Sequence, residues 1–167
     1  MKIFQWIMLS ALLCSYAFAL PQMQSLTTKD TWAAAKLSPQ EIKQITTAVE
    51  DSANDTPESW EKELLVRRVN LGAAPGLIAQ GTKLLCGGTG NCQIFVLEKK
   101  NDKWLSLFGT QEAPASEQAP VAESFQLGPA VTSGIKDLTV IANYSAESST
   151  RAVYKFDGKV YRVAGKK

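Results

Sequence analysis

The chain has no histidine among its 167 residues. That absence removes several function classes at once. A Ser-His-Asp or Cys-His catalytic arrangement has no general base. A histidine pH switch is excluded. The commonest metal ligand is missing, and three cysteines do not make up a thiolate set in its place. Carboxylate-pair or Ser-Lys chemistry survives. However, Glu98, Asp102, Asp137 and Asp157 fall at expected strand edges and turns, where acids ordinarily solvate a surface. No catalytic residue, metal ligand or cofactor is therefore expected.

Net charge is small too. Lys+Arg number 18 against 16 Asp+Glu, and the nearest things to a basic patch are Arg67-Arg68 and Lys166-Lys167. Neither makes a nucleic-acid footprint or a polybasic membrane anchor. Long apolar runs are also lacking. The longest, Ile3 to Leu13, is broken by Gln5 and Ser10 and is too short to span a bilayer as a helix.

What that run does fit is a secretory leader. Lys2 supplies the positive start, and Ala17-Phe18-Ala19 places small residues where an export peptidase reads. Residues 1–19 are expected to be removed after Ala19, which leaves 148 of the 167 residues. The chain is then expected in the periplasm or outside the cell, with no stable membrane insertion. Cys14 leaves with the leader. Cys86 and Cys92 remain and are expected to pair in an oxidising compartment.

Residues 20–37 read as a flexible lead-in to one domain over 38–167. A helix begins at Pro39, because Ser38 caps, Pro suits the first turn and Glu41 completes a capping box. Leu37 and Ile42 stand as a hydrophobic staple, and Ile42, Ile45 and Val49 share one face. The helix is expected to end near Ala53, before the Asn54–Pro57 turn. Strands are expected over 62–71, 76–85, 93–99, 103–108, 124–127, 136–144, 151–156 and 159–163, with 111–122 as an internal linker. Apolar side chains on both faces of 93–99 mark a central strand. In the last hairpin, a two-residue Asp157-Gly158 turn sets Tyr154 opposite Tyr161 and Ala152 opposite Val163. Two segments, 77–104 and 140–161, share an order of apolar strand, polar loop, apolar strand, turn and aromatic strand. The fold expected is α+β, an N-terminal amphipathic helix packed on a predominantly antiparallel sheet built from two meander-like units.

Two features are candidates for function. The loop between Cys86 and Cys92 (Gly87, Gly88, Thr89, Gly90, Asn91) is bent by its glycines and stapled at its base. Its alternative role is a turn that pins register. Trp104, Tyr144, Tyr154 and Tyr161 form a stacking platform if they line an exposed face, and core if they do not. In length and stapled loop the chain resembles, in plan, the periplasmic inhibitors of lysozyme. Those inhibitors use polar or charged residues in a projecting loop, whereas this loop offers only Thr89 and Asn91. The function expected is non-catalytic binding of an envelope protein or cell-wall glycan through the Cys86–Cys92 loop. The alternatives are inhibition of a lysozyme-type hydrolase and carboxylate-dependent hydrolysis.

Overall fold

A computed structural model describes residues 22–53, 55–145 and 147–166. The expected leader, its expected cleavage point and Cys14 lie outside the described residues, as does Asn54. The elements run α1 Pro39–Glu50, α2 Trp60–Glu63, β1 Leu64–Asn70, β2 Pro75–Gly81, a 3-10 turn Lys83–Leu85, β3 Cys92–Lys100, β4 Lys103–Ser106, β5 Val121–Ala122, β6 Ser124–Thr132, β7 Ile135–Ser145, β8 Ser148–Phe156 and β9 Tyr161–Lys166. The fold is mostly antiparallel β with two helices among the described residues.

Strand β3 organises the first sheet. Ile94, Phe95, Val96 and Leu97 are all fully buried, so apolar side chains leave both faces of the strand at once. Such a strand is stable only in the middle of a sheet that is covered twice. The sheet order β1-β2-β3-β4 places it there, with β5 added beside its first residues. One face carries Phe95, Leu97, Lys99 and Trp104, and α1 covers it, burying Ile45 and Val49. The other face, with Ile78, Ile94 and Val96, belongs to the same core as Phe125, Leu138 and Val140 of the second sheet. That sheet runs β6-β7-β8-β9, a simple meander.

Helix α1 is held as its sequence predicts. Ser38 Oγ accepts from the Glu41 amide at 3.2 Å, and the Ser38 amide donates to Glu41 Oε2 at 3.0 Å. The other Glu41 oxygen takes Lys99 Nζ at 3.1 Å and Trp104 Nε1 at 3.4 Å. One carboxylate thus caps the helix and docks it on the sheet. The helix ends at Glu50, three residues before the expected end.

The lead-in is not loose. Gln24 bridges Phe125 in β6 through two backbone hydrogen bonds of 2.7 and 2.8 Å. The Leu26 amide donates to Gln80 Oε1 at 2.8 Å. Arg67 grips Asp30 with two guanidinium nitrogens at 2.7 and 2.8 Å, and the Val66 amide donates to the Asp30 carbonyl. The segment therefore ties β1 to β6, one edge of each sheet. At the opposite edges, the Tyr161 amide of β9 donates to the Leu107 carbonyl just beyond β4. The expected linker 111–122 is likewise folded. The Gly109 amide reaches the Glu117 carbonyl, Gln118 Nε2 donates to two carbonyls at 2.8 Å, and its last two residues form β5.

Several strand boundaries also move. Lys62 belongs to α2, and β2 stops at Gly81, before the 3-10 turn. β6 continues past Leu127 to Thr132, because Gly128-Pro129-Ala130 falls in a bulge on an edge strand, where proline loses no ladder bond. The last hairpin pairs Phe156 with Tyr161, Tyr154 with Val163 and Ala152 with Lys166, with a register shift between Val153 and Tyr154. The turn takes four residues, because Asp157 Oδ1 accepts from the Lys159 and Val160 amides at 2.8 and 2.9 Å. At the aromatic end this slips the expected register by two, so every side chain there keeps its face.

Two predictions follow from the ties between elements. Gly72 has φ +113° and packs its backbone on the β6–β7 turn, where a Cβ would stand 2.7 Å from the Gly134 carbonyl oxygen. Gly72→Ala is expected to cost about 2 kcal/mol or more, read as a lower urea midpoint with unchanged slope. The Arg67 guanidinium, opposed by burial and helped by the Thr27 amide, holds Asp30 down to about 2. A depressed carboxylate stabilises above its unfolded value and loses that contribution as pH falls through the folded one. Stability should therefore drop between about pH 4 and pH 2. Asp30→Asn should remove on the order of 1–2 kcal/mol at neutral pH and flatten that acid limb.

Candidate functional site

The disulfide loop is built from the end of β2 outward. After Gly81 the chain turns through Lys83–Leu85 and returns as β3 at Cys92. Cys86 and Cys92 are joined and also form an isolated antiparallel bridge. Inside the ring, the Gly87 amide donates to the Asn91 carbonyl at 2.8 Å and the Gly90 amide to the Gly87 carbonyl at 3.0 Å. Gly90 sits at φ +79°, a conformation glycine adopts without steric penalty.

The structure separates the two polar residues of this loop. Thr89 is exposed with Gly87, Gly88 and Gly90. Asn91 is buried, at 8 % exposure. Its Oδ1 accepts from the Asn143 amide at 2.8 Å, and its Nδ2 donates to the Asn143 carbonyl at 2.6 Å and to Thr89 Oγ1 at 2.8 Å. The side-chain amide thus imitates a strand partner for one residue of β7. Asn91 is therefore no contact residue for a partner. It clasps the loop to the second sheet.

That clasp gathers a surface the linear sequence does not show. Asn143 lies near the β7–β8 turn, where Asn143, Ser145, Glu147, Ser148 and Ser149 line a polar hollow of about 220 Å³. Ser145 and Ser148 hydroxyls meet at 2.9 Å. Tyr144, the next residue after the clasped one, is 68 % exposed. A sequence signal existed in the asparagine at each end of a strand-to-loop junction, but nothing local links residues 91 and 143.

The four aromatics do not form one exposed face. Trp104 is buried and donates to Glu41. Tyr154 and Tyr161 are buried around Phe108, with ring centroids 5.7 and 5.4 Å away. Tyr161 donates to the Lys136 carbonyl at 2.6 Å, and burial pushes its phenol, like that of Tyr154, above the ordinary range. The platform reading fails because three of the four side chains point into the core. Only Tyr144 stays in solvent.

The strongly perturbed carboxylates have structural partners. The Ser38 amide, against burial and with Lys99, holds Glu41 down to about 2. The amides of Val160 and Lys159, with Arg162, hold Asp157 down to about 2. Asp137 is buried and accepts from Thr132 Oγ1 at 2.6 Å. A roomier hollow, of about 730 Å³, lies elsewhere, between α1 and β4.

Asn91→Ala is expected to destabilise by about 2 kcal/mol, because it strands the Asn143 amide and carbonyl. In a domain of this size that lowers Tm by roughly 4–8 °C. Thr89→Ala should move Tm by much less, which thermal unfolding of the two variants side by side will show. Set against protein-family models, curated proteins and solved structures, the chain matches none of them.

Proposed function

We propose that the protein is an exported, non-catalytic binding module that grips an envelope protein or cell-wall glycan. The gripping end joins the Cys86–Cys92 loop to the β7–β8 turn. The carrying observation is the Asn91 clasp. It fixes two exposed tips relative to each other, so little ordering entropy is lost when a partner binds. Tyr144 supplies an exposed ring for stacking on a sugar or peptide. Thr89 and the Ser145–Ser148 hollow supply hydrogen-bonding groups beside it.

The disulfide is compatible with an oxidising compartment. Among the described residues no helix is long and apolar enough to cross a membrane. The non-catalytic reading draws support from the acids. Asp30, Glu41 and Asp157 are each tied to structural partners: Arg67, the Ser38 amide with Lys99, and the Val160 and Lys159 amides with Arg162.

The test uses two probes, purified peptidoglycan and solubilised envelope protein, each presented to the full chain with its disulfide formed. Retention by either probe, cut about tenfold by Tyr144→Ala with Thr89→Ala, is the expected result, since one stacked ring is worth about 1 kcal/mol or more. No retention by either, or retention that the double variant keeps, ends this reading. A dose-dependent loss of lysozyme activity on adding the protein would replace it with the inhibitor alternative.

A further inference from the structure

The hollow of about 730 Å³ runs between α1 and β4, and β4 is the last strand of its sheet. Its outer edge has a definite hydrogen-bonding pattern. Asn101 and Asp102 make the tight turn, both at positive φ, and Lys100 pairs with Lys103 across it. In such a hairpin the flanking pair exchanges its hydrogen bonds, and the next pair does not. The Leu107 amide donates to the Val96 carbonyl at 2.8 Å, which confirms the alternation. Trp104 and Ser106 therefore turn their amides and carbonyls away from β3. Among the described residues these four groups have no backbone partner.

The walls of the hollow match that edge. Gln40, Gln44, Thr47 and Ala48 lie on one stripe of α1 at helical spacing and face the strand, with Asp51 at the C-cap below them. Leu105, 45 % exposed, offers an apolar contact on the far side of the edge. Gln44 Oε1 is buried in this stripe without a hydrogen-bond partner. Lys43 and Lys103 are exposed lining residues, and Asp51, the C-cap of the helix, is the one acid among the lining residues.

We infer that this groove is a second binding site, which takes an extended peptide segment of another polypeptide as an added strand on β4. A strand edge walled by a helix is the geometry of β-augmentation, in which backbone hydrogen bonds supply affinity and alternate side chains supply choice. The four outward groups of Trp104 and Ser106 hydrogen-bond the peptide backbone. Its apolar side chains meet Leu105 and Ala48. An acidic residue or a C-terminal carboxylate sits against Lys43 and Lys103. A second copy of this chain is the poorer occupant, because edge-to-edge pairing brings basic edges together, the usual device against such pairing. The site shares no residue with the disulfide-loop surface.

Fluorescence polarisation with a labelled hexapeptide of alternating valine and threonine ending in two glutamates tests the proposal on the disulfide-bonded full chain. Saturable binding in roughly the micromolar to sub-millimolar range is expected. Methylation of alternate peptide nitrogens, in either phase, leaves charge and side chains alone. In the phase that faces β4 it should weaken binding at least about tenfold. Lys43→Gln with Lys103→Gln, both exposed, should weaken it several-fold and remove its salt dependence, with Tm unchanged. Tyr144→Ala should leave it untouched, which keeps this site's failure separate from that of the loop. Three results overturn the inference: no saturable binding up to about 1 mM, equal binding of both methylated peptides, or a concentration-dependent dimer that occupies the edge and excludes the peptide.

Discussion

Everything in this structure answers to the burial of β3 on both faces. Ile94, Phe95, Val96 and Leu97 bury four large side chains in succession, two to each side. A strand of that kind requires two separate covers. Helix α1 supplies one, and its amphipathic stripe is sized for that purpose. The second sheet supplies the other, which is why the chain crosses over at β5 and β6 rather than extending the first sheet. The two units are therefore stacked layers around one core rather than neighbours in a single sheet.

Stacked sheets leave four edges, and unpaired edges invite association. Here the lead-in ties β1 to β6, and Leu107 ties the β4 end to β9. Each tie uses polar groups that would otherwise need water. Asp30 with Arg67 and Gln80 with the Leu26 amide hold a segment that has almost no periodicity of its own. The Asn91 clasp acts in the same way between the disulfide loop and β7. Among the described residues, the short stretch of β4 at Trp104 and Ser106 has no such tie, and the tight turn at Asn101 and Asp102 fixes which of its groups point outward. The same closure that stabilises the core thus defines where the molecule can still add a strand.

Much of the local architecture was legible in the residues. The capping box at Ser38 and Glu41, the two-sided strand 93–99, the Cys86–Cys92 pair and the meander order were all local patterns of a few residues. Misreadings arose where a side chain competed with the ladder. Asp157 captured two amides and lengthened its turn to four residues. The strand expected to stop at Leu127 runs on to Thr132, because an edge bulge accommodates Pro129. The lead-in and 111–122 carry no periodicity of their own, yet both are ordered. Their order comes from contacts with residues as distant as Phe125 and Gln80, and no window of sequence contains those.

The candidate sites divide along the same line. The sequence by itself determined that histidine-based catalysis is absent, that a glycine-rich loop is closed by two cysteines, and that a capped helix precedes a set of antiparallel strands. Those are properties of composition and short-range spacing. Only the tertiary structure decided that Asn91 is spent inside the fold, that Tyr144 alone of four aromatics meets solvent, and that one strand edge stays open beside a helix. Exposure is set by which face a neighbouring layer covers, and hydrogen-bonding capacity by which partner arrives from far along the chain.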